Sequence, residues 1–191
     1  RDIESQEIFR QCSESNHLFY WNFDQEGIYE IKIIFKKKLS SCAGMFYCCN
    51  QLTEIDISKF DCENVLSCES MFYNCYNLKK INLGKLDFSL VTDFTCMFQS
   101  CQNLIDLDVS NFNTKNVKYM NYMFNRCSNL ALIDASKFFT PQALDTSFMY
   151  FGCLLIKSID LSNFDSKNII KMTSMFSNCN QLYSIKISKF D

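Results

Sequence analysis

Residues 97–122 read MFQSCQNLIDLDVSNFNTKNVKYMNY, and this stretch decides the fold because the chain repeats it. Its opening Met-Phe pair recurs at Met45-Phe46, Met71-Phe72, Met97-Phe98, Met123-Phe124, Met149-Tyr150 and Met175-Phe176, a constant step without insertion. The cysteine four residues on recurs as Cys49, Cys75, Cys101, Cys127, Cys153 and Cys179. Two apolar positions then alternate: Ile55, Ile81, Leu107, Ile133, Ile159 and Ile185, followed by Ile57, Leu83, Val109, Ala135, Leu161 and Ile187. Phe60, Leu86, Phe112, Phe138, Phe164 and Phe190 close the pattern. Fixed periods of this size mark repeat architectures, in which each unit buries its apolar face against its neighbours.

Within one unit, Leu107 and Val109 are two residues apart, the spacing of one strand face, which predicts a strand over 106–110. Val117, Met120, Met123, Phe124 and Cys127 follow at spacings of three and four, which predicts a helix or 3₁₀ turn. Thr114, Thr140 and Ser166 stand where a hydroxyl caps a helix start, and the single proline, Pro141, falls at the next position. The fold class expected is an α/β solenoid. It is a right-handed leucine-rich-repeat-like stack of 26-residue strand–turn–helix coils with a parallel sheet on one face. Residues 1–44 form an N-terminal cap and a degenerate first coil, in which Phe19-Tyr20 takes the marker position. Residues 45–191 form five full coils and a truncated sixth. A start at Arg1 without Met, and an end inside the pattern at Asp191, predict a fragment.

Composition removes several functions. The 191 residues carry 19 basic and 21 acidic side chains, a net charge of −2, which is against nucleic-acid binding through phosphate neutralisation. With 4 glycines and 1 histidine, phosphate-cradling loops and histidine-based catalysis lose their materials. His17 has no nucleophile motif beside it. Neither a signal segment nor an apolar run long enough to span a membrane is present in the sequence. No Asn-x-Ser/Thr acceptor occurs, which is against heavy N-glycosylation.

The candidate sites are surfaces. Asp56, Asp108, Asp134 and Asp160 lie between the two inward strand positions, with Ser110, Ser136 and Ser162 in the next outward position, and they predict a strip on the sheet face for a protein partner. One carboxylate per rung is too few for calcium, which takes about 6–8 oxygens. Tyr47, Tyr73, Tyr76, Tyr119 and Tyr122 predict a convex aromatic patch, or rings half-covered by neighbours. The six-cysteine column reads as small buried side chains filling a tight corner, not as a metal rail. Cys42 and Cys68 share a separate column and are the best-placed disulfide pair. No metal, cofactor or catalytic residue is expected. An exposed last coil would make end-to-end contact with more repeats or a partner.

The stretches MFQSCQNLIDLDVSNFNTKNVKYMNYMF and LIKSIDLSNFDSKNIIKMTSMFSNC resemble the 26-residue repeat of bacterial surface proteins, the BspA-like leucine-rich group. The likeness runs over 45–191 and, more weakly, 19–44. FFTPQALDTSF, at 138–148, departs from it most. The resemblance implies a leucine-rich-type solenoid at a cell surface or secreted, with work in adhesion or recognition and no catalytic residues. The alternative is a structural subunit docked in a larger, intracellular assembly with its thiols reduced.

Overall fold

The computed structural model describes residues 38–190. The cap and most of the degenerate first coil, with His17, Cys12 and Phe19-Tyr20, lie outside the described residues. The six strands start 26 residues apart: β1 (Glu54–Asp56), β2 (Lys80–Asn82), β3 (Asp106–Leu107), β4 (Leu132–Ile133), β5 (Ser158–Leu161) and β6 (Ser184–Ile187). Pairing is parallel and keeps the repeat register, as in Ile55↔Ile81, Leu107↔Ile133 and Ile159↔Ile185. The expected column residues therefore stack on themselves. Met71, Met97, Met123 and Met149 are all buried, as are Leu107 and Val109. The marker rings form one pile, Phe46, Phe72, Phe98, Phe124, Tyr150 and Phe176, with successive centroids 5.2–5.8 Å apart and near-parallel planes.

Two parts of the expected fold class are overturned. Among the described residues there is no helix, so the class is not α/β. Val117, Met120, Met123, Phe124 and Cys127 are buried as their spacing requires, but on a chain of consecutive turns. The cause is backbone conformation. The turn side of each coil has two residues, four apart, at φ between 52° and 72°. One is Gly44, Ser70, Cys96, Tyr122, Phe148 or Ser174, and the other is Cys48, Asn74, Ser100, Arg126, Gly152 or Asn178. A left-handed residue every four positions cannot belong to a right-handed helix. It suits the third position of a type II turn. Such turns close here by Met123 N–H to Met120 O at 3.2 Å and Cys127 N–H to Phe124 O at 3.1 Å. The intervening N–H groups leave the coil. Met120, Tyr122, Phe124 and Arg126 donate to Asp145, Ser147, Met149 and Phe151 of the next coil, at 2.7–3.0 Å. Carbonyls and amides spent between coils are unavailable to a helix.

Nor is there one sheet. The strands form three two-stranded pairs, β1–β2, β3–β4 and β5–β6. The unbroken ladder is on the turn side, where parallel bridges run Ser41↔Ser67↔Asp93↔Tyr119↔Asp145↔Lys171. The hydroxyls expected to cap helices bridge coils instead. Thr114 donates to Phe139 O at 2.9 Å, and Thr140 donates to Asp165 O at 3.1 Å while accepting from Asp165 N–H at 2.9 Å.

Candidate functional site

The strand face is built by short polar side chains folding back on their own backbone. Asp56, Asn82, Asp108, Asp134 and Asp160 each accept, through Oδ1, the N–H two residues on, at 2.9–3.1 Å. These are Asx turns, which end each strand locally. The partner N–H groups belong to Ser58, Gly84, Ser110, Ser136 and Ser162, and the serine hydroxyls add a second bond to the same carboxylates. Those serine bonds, first the hydroxyl and then the amide, hold Asp56, Asp108, Asp134 and Asp160 below the usual carboxylate range. Neighbouring coils relieve the file of like charges. Asn82 Nδ2 donates to Asp56 Oδ2 at 2.9 Å, and Lys186 Nζ reaches Asp160 Oδ2 at 3.2 Å. The structure thus brings Asp56, Asp108, Asp134, Asp160, Ser110, Ser136 and Ser162 to one face, with much of their bonding capacity used within each turn. Among the described residues, no group of three or more Cys, His, Asp or Glu is placed to hold a metal ion.

The aromatic candidates separate. Tyr47 stacks on Tyr73 with centroids 4.7 Å apart, and Tyr122 stacks on Phe148 at 4.9 Å, with Phe148 edge-on to Phe151 at 5.8 Å. These rings are half-buried, and burial raises the Tyr47 phenol above its ordinary range. Tyr76 and Tyr119 are exposed and make no ring contact among the described residues. The two stacks are carried by different columns, which the Phe148–Phe151 contact joins.

The cysteine column does more than fill space. Cys75, Cys101, Cys127, Cys153 and Cys179 donate their thiols to the carbonyls of Phe46, Phe72, Phe98, Phe124 and Tyr150 in the preceding coil, at 3.0–3.2 Å. Burial pushes Cys101 up to about 12 and raises Cys75, Cys127 and Cys153 as well. Thiols held protonated are poor nucleophiles and poor metal ligands.

Sequence reasoning missed the most exposed apolar residues of the strand face. Leu132 is 70% exposed, Tyr183 79% and Ile105 56%. Leu132 interrupts an otherwise polar column with Lys80 and Asp106, and Ile105 and Tyr183 share a mixed column with Lys79, Ala131 and Lys157. That interruption was the available signal. Leu132 and Tyr183 flank a hollow of about 340 Å³, also lined by Ala131, Ile133, Asp134, Lys157 and Ser158, where β4 and β5 are not hydrogen-bonded. No helix among the described residues is long and apolar enough to cross a membrane.

Stacked coils in strict register define a repeat protein of non-helical coils. The chain belongs to the family described as Mycoplasma protein of unknown function, DUF285, which matches residues 4–104, 40–159 and 77–190. That description names a family and no activity. A crystal structure of a leucine-rich repeat protein from Bacteroides ovatus is similar at a TM-score of 0.43 and 22% identity, over 83% of this chain. The match spans 45% of that protein, less than half its length. No curated protein matches the chain.

Proposed function

We propose that this chain is a non-enzymatic repeat protein whose strand face binds a protein partner. The observation that carries this reading is the exposed pair Leu132 and Tyr183 beside Asp134, Lys157 and Ser158 at the strand-face hollow. Apolar anchors ringed by polar groups are what a protein contact requires. The finer family reading, a BspA-like surface repeat used at a cell surface or in a secreted assembly for adhesion or recognition, rests on the repeat sequence, and we carry it as part of the same proposal. The test is affinity capture with the full chain, compared with Leu132→Asp/Tyr183→Ala and with Tyr47→Ala/Tyr73→Ala, each checked for native circular dichroism. A partner lost in the first double variant and kept in the second supports the strand face. The opposite pattern moves the site to the aromatic stack. Release by mild trypsin treatment of intact cells tests the location.

A further inference from the structure

Eleven cysteines lie among the described residues, and all are free thiols. Five donate to main-chain carbonyls of the preceding coil, as above, and Cys62 donates to Asp87 O at 3.1 Å. Cys42 and Cys68 behave differently. They occupy one column, which the following coils fill with Phe94, Met120, Thr146 and Met172. Their backbones are locked side by side, with Ser41 bridging Ser67 and Cys42 N–H donating to Ser67 O at 2.9 Å. Adjacent parallel rungs lie about 4.8 Å apart, inside the Cα separation that a disulfide spans. Both side chains are buried and they neighbour one another: each is the largest influence on the other's titration, lowering Cys42 and raising Cys68.

We propose that Cys42 and Cys68 are a modification site: a dithiol that oxidises reversibly to a cross-coil disulfide, joining the coil before Met45 to the one before Met71. The oxidant is a small-molecule disulfide of the glutathione class. The Cys42 thiolate attacks one sulfur of the oxidant, forming a mixed disulfide and expelling one thiolate, which takes up a proton. The Cys68 thiol then loses its proton, attacks the Cys42 sulfur and expels the second small thiol. Two protein S–H bonds are lost and one S–S bond forms. The two electrons reduce one oxidant disulfide to two thiols, which carry both protons. Cys68 also lowers the Cys42 thiol below its ordinary range, while burial raises Cys75, Cys101, Cys127 and Cys153, so Cys42 is the better nucleophile against those column thiols. Both sulfurs are sheltered, so reaction proceeds through transient local opening of these two coils. The closed loop spans one coil, and the bond restricts the unfolded chain.

The test uses the full reduced chain incubated with glutathione disulfide, alkylated, and mapped without reduction. The result expected is a peptide pair linked through Cys42 and Cys68, with a midpoint of thermal unfolding several degrees higher that returns to the starting value in dithiothreitol. Cys68→Ser should abolish the rise, and Cys101→Ser should keep it. Should the serine variant fail to fold, Cys68→Ala supplies the same comparison with an apolar side chain. Linkage dominated by column pairs such as Cys75–Cys101, or full alkylation of Cys42 and Cys68 after oxidation, overturns the proposal.

Discussion

The two sides of each coil are held by different means. On the strand side, hydrogen-bonded pairing is intermittent, with β2 and β3, and β4 and β5, left unjoined. On the turn side, four N–H groups per coil cross to the next without a break from Cys42 to Gly152. The side whose sequence resembles a helix is the side that stitches the stack together. The strand side is more a surface than a girder, and its side chains are correspondingly freer to vary. Ile55 and Ile81 are half-buried there, whereas Phe72, Phe98 and Phe124 are fully buried on the turn side.

The largest test of that difference is ring removal. Phe98 is stacked between Phe72 and Phe124, so Phe98→Ala opens a cavity in the pile and should cost about 3–5 kcal/mol. Ile81→Ala on β2 should cost about 2 kcal/mol or less, since less surface leaves water there. Urea unfolding of the two variants measures the gap, and equal losses would end the distinction between the sides.

Glycine positions sharpen it. Gly84 and Gly152 both have positive φ, at 56° and 72°. A Cβ at Gly84 would lie 2.6 Å from Ser58 Cβ and 2.9 Å from Ser58 Cα, whereas at Gly152 the nearest atom is Arg126 Cγ at 3.6 Å. Gly84→Ala therefore carries overlap as well as strain and should cost about 2–3 kcal/mol. Gly152→Ala carries the strain alone, about 1 kcal/mol. Thermal unfolding ranks them. The strand side is thus tight at this one point even though its pairing is loose.

One substitution should change sign between the sides. Ser100 has φ 61° on the turn side, so Ser100→Gly relieves left-handed strain and should stabilise by about 0.5–1 kcal/mol. Ser110 sits in an ordinary conformation and bonds Asp108 through its hydroxyl, so Ser110→Gly should destabilise by about 1 kcal/mol. Denaturation midpoints moving in the same direction would refute the backbone account.

The columns were legible because burial in a register-locked stack imposes one residue type at one spacing. Met97, Cys101, Leu107, Val109 and Phe112 were placed inward and are buried. The helix was not there because apolar spacings of three and four are also produced by turns that close every four residues. What separates the two is the sign of φ, and that was written faintly: Gly44, Gly152, Asn74 and Asn178 sit on the left-handed columns. Cys96, Tyr122, Arg126 and Phe148 occupy the same columns and conceal the signal, since no such residue favours that conformation. The Asp and Ser positions of the strand face were located correctly along the chain. Bonding between the Asp and Ser side chains was one reading of the pattern, but the Asx-turn bonds from the amides were not anticipated, because a turn and a ligand strip use the same side chains. Leu132 escaped because it departs from its column and Tyr183 because its column is mixed, and a search for agreement passes over both.

The smallest effect expected is in acid, and it belongs to the strand side. Asp108 and Asp134 titrate below the ordinary carboxylate range because serine hydroxyls and then amides bond the charged form. A folded-state value depressed below the unfolded one, which is near 4, means that the charged carboxylate favours the fold above that pH. The contribution is lost as pH falls through about 4 toward the lower folded value. Both groups are almost fully exposed, so water and salt screen most of the effect. The urea midpoint should fall modestly between pH 6 and pH 3, and Asp108→Asn/Asp134→Asn should flatten that decline. Phe98→Ala changes no titrating group, so it should lower the whole profile without changing its slope. If the double asparagine variant keeps the full slope, the acid response arises elsewhere than in the strand-face turns.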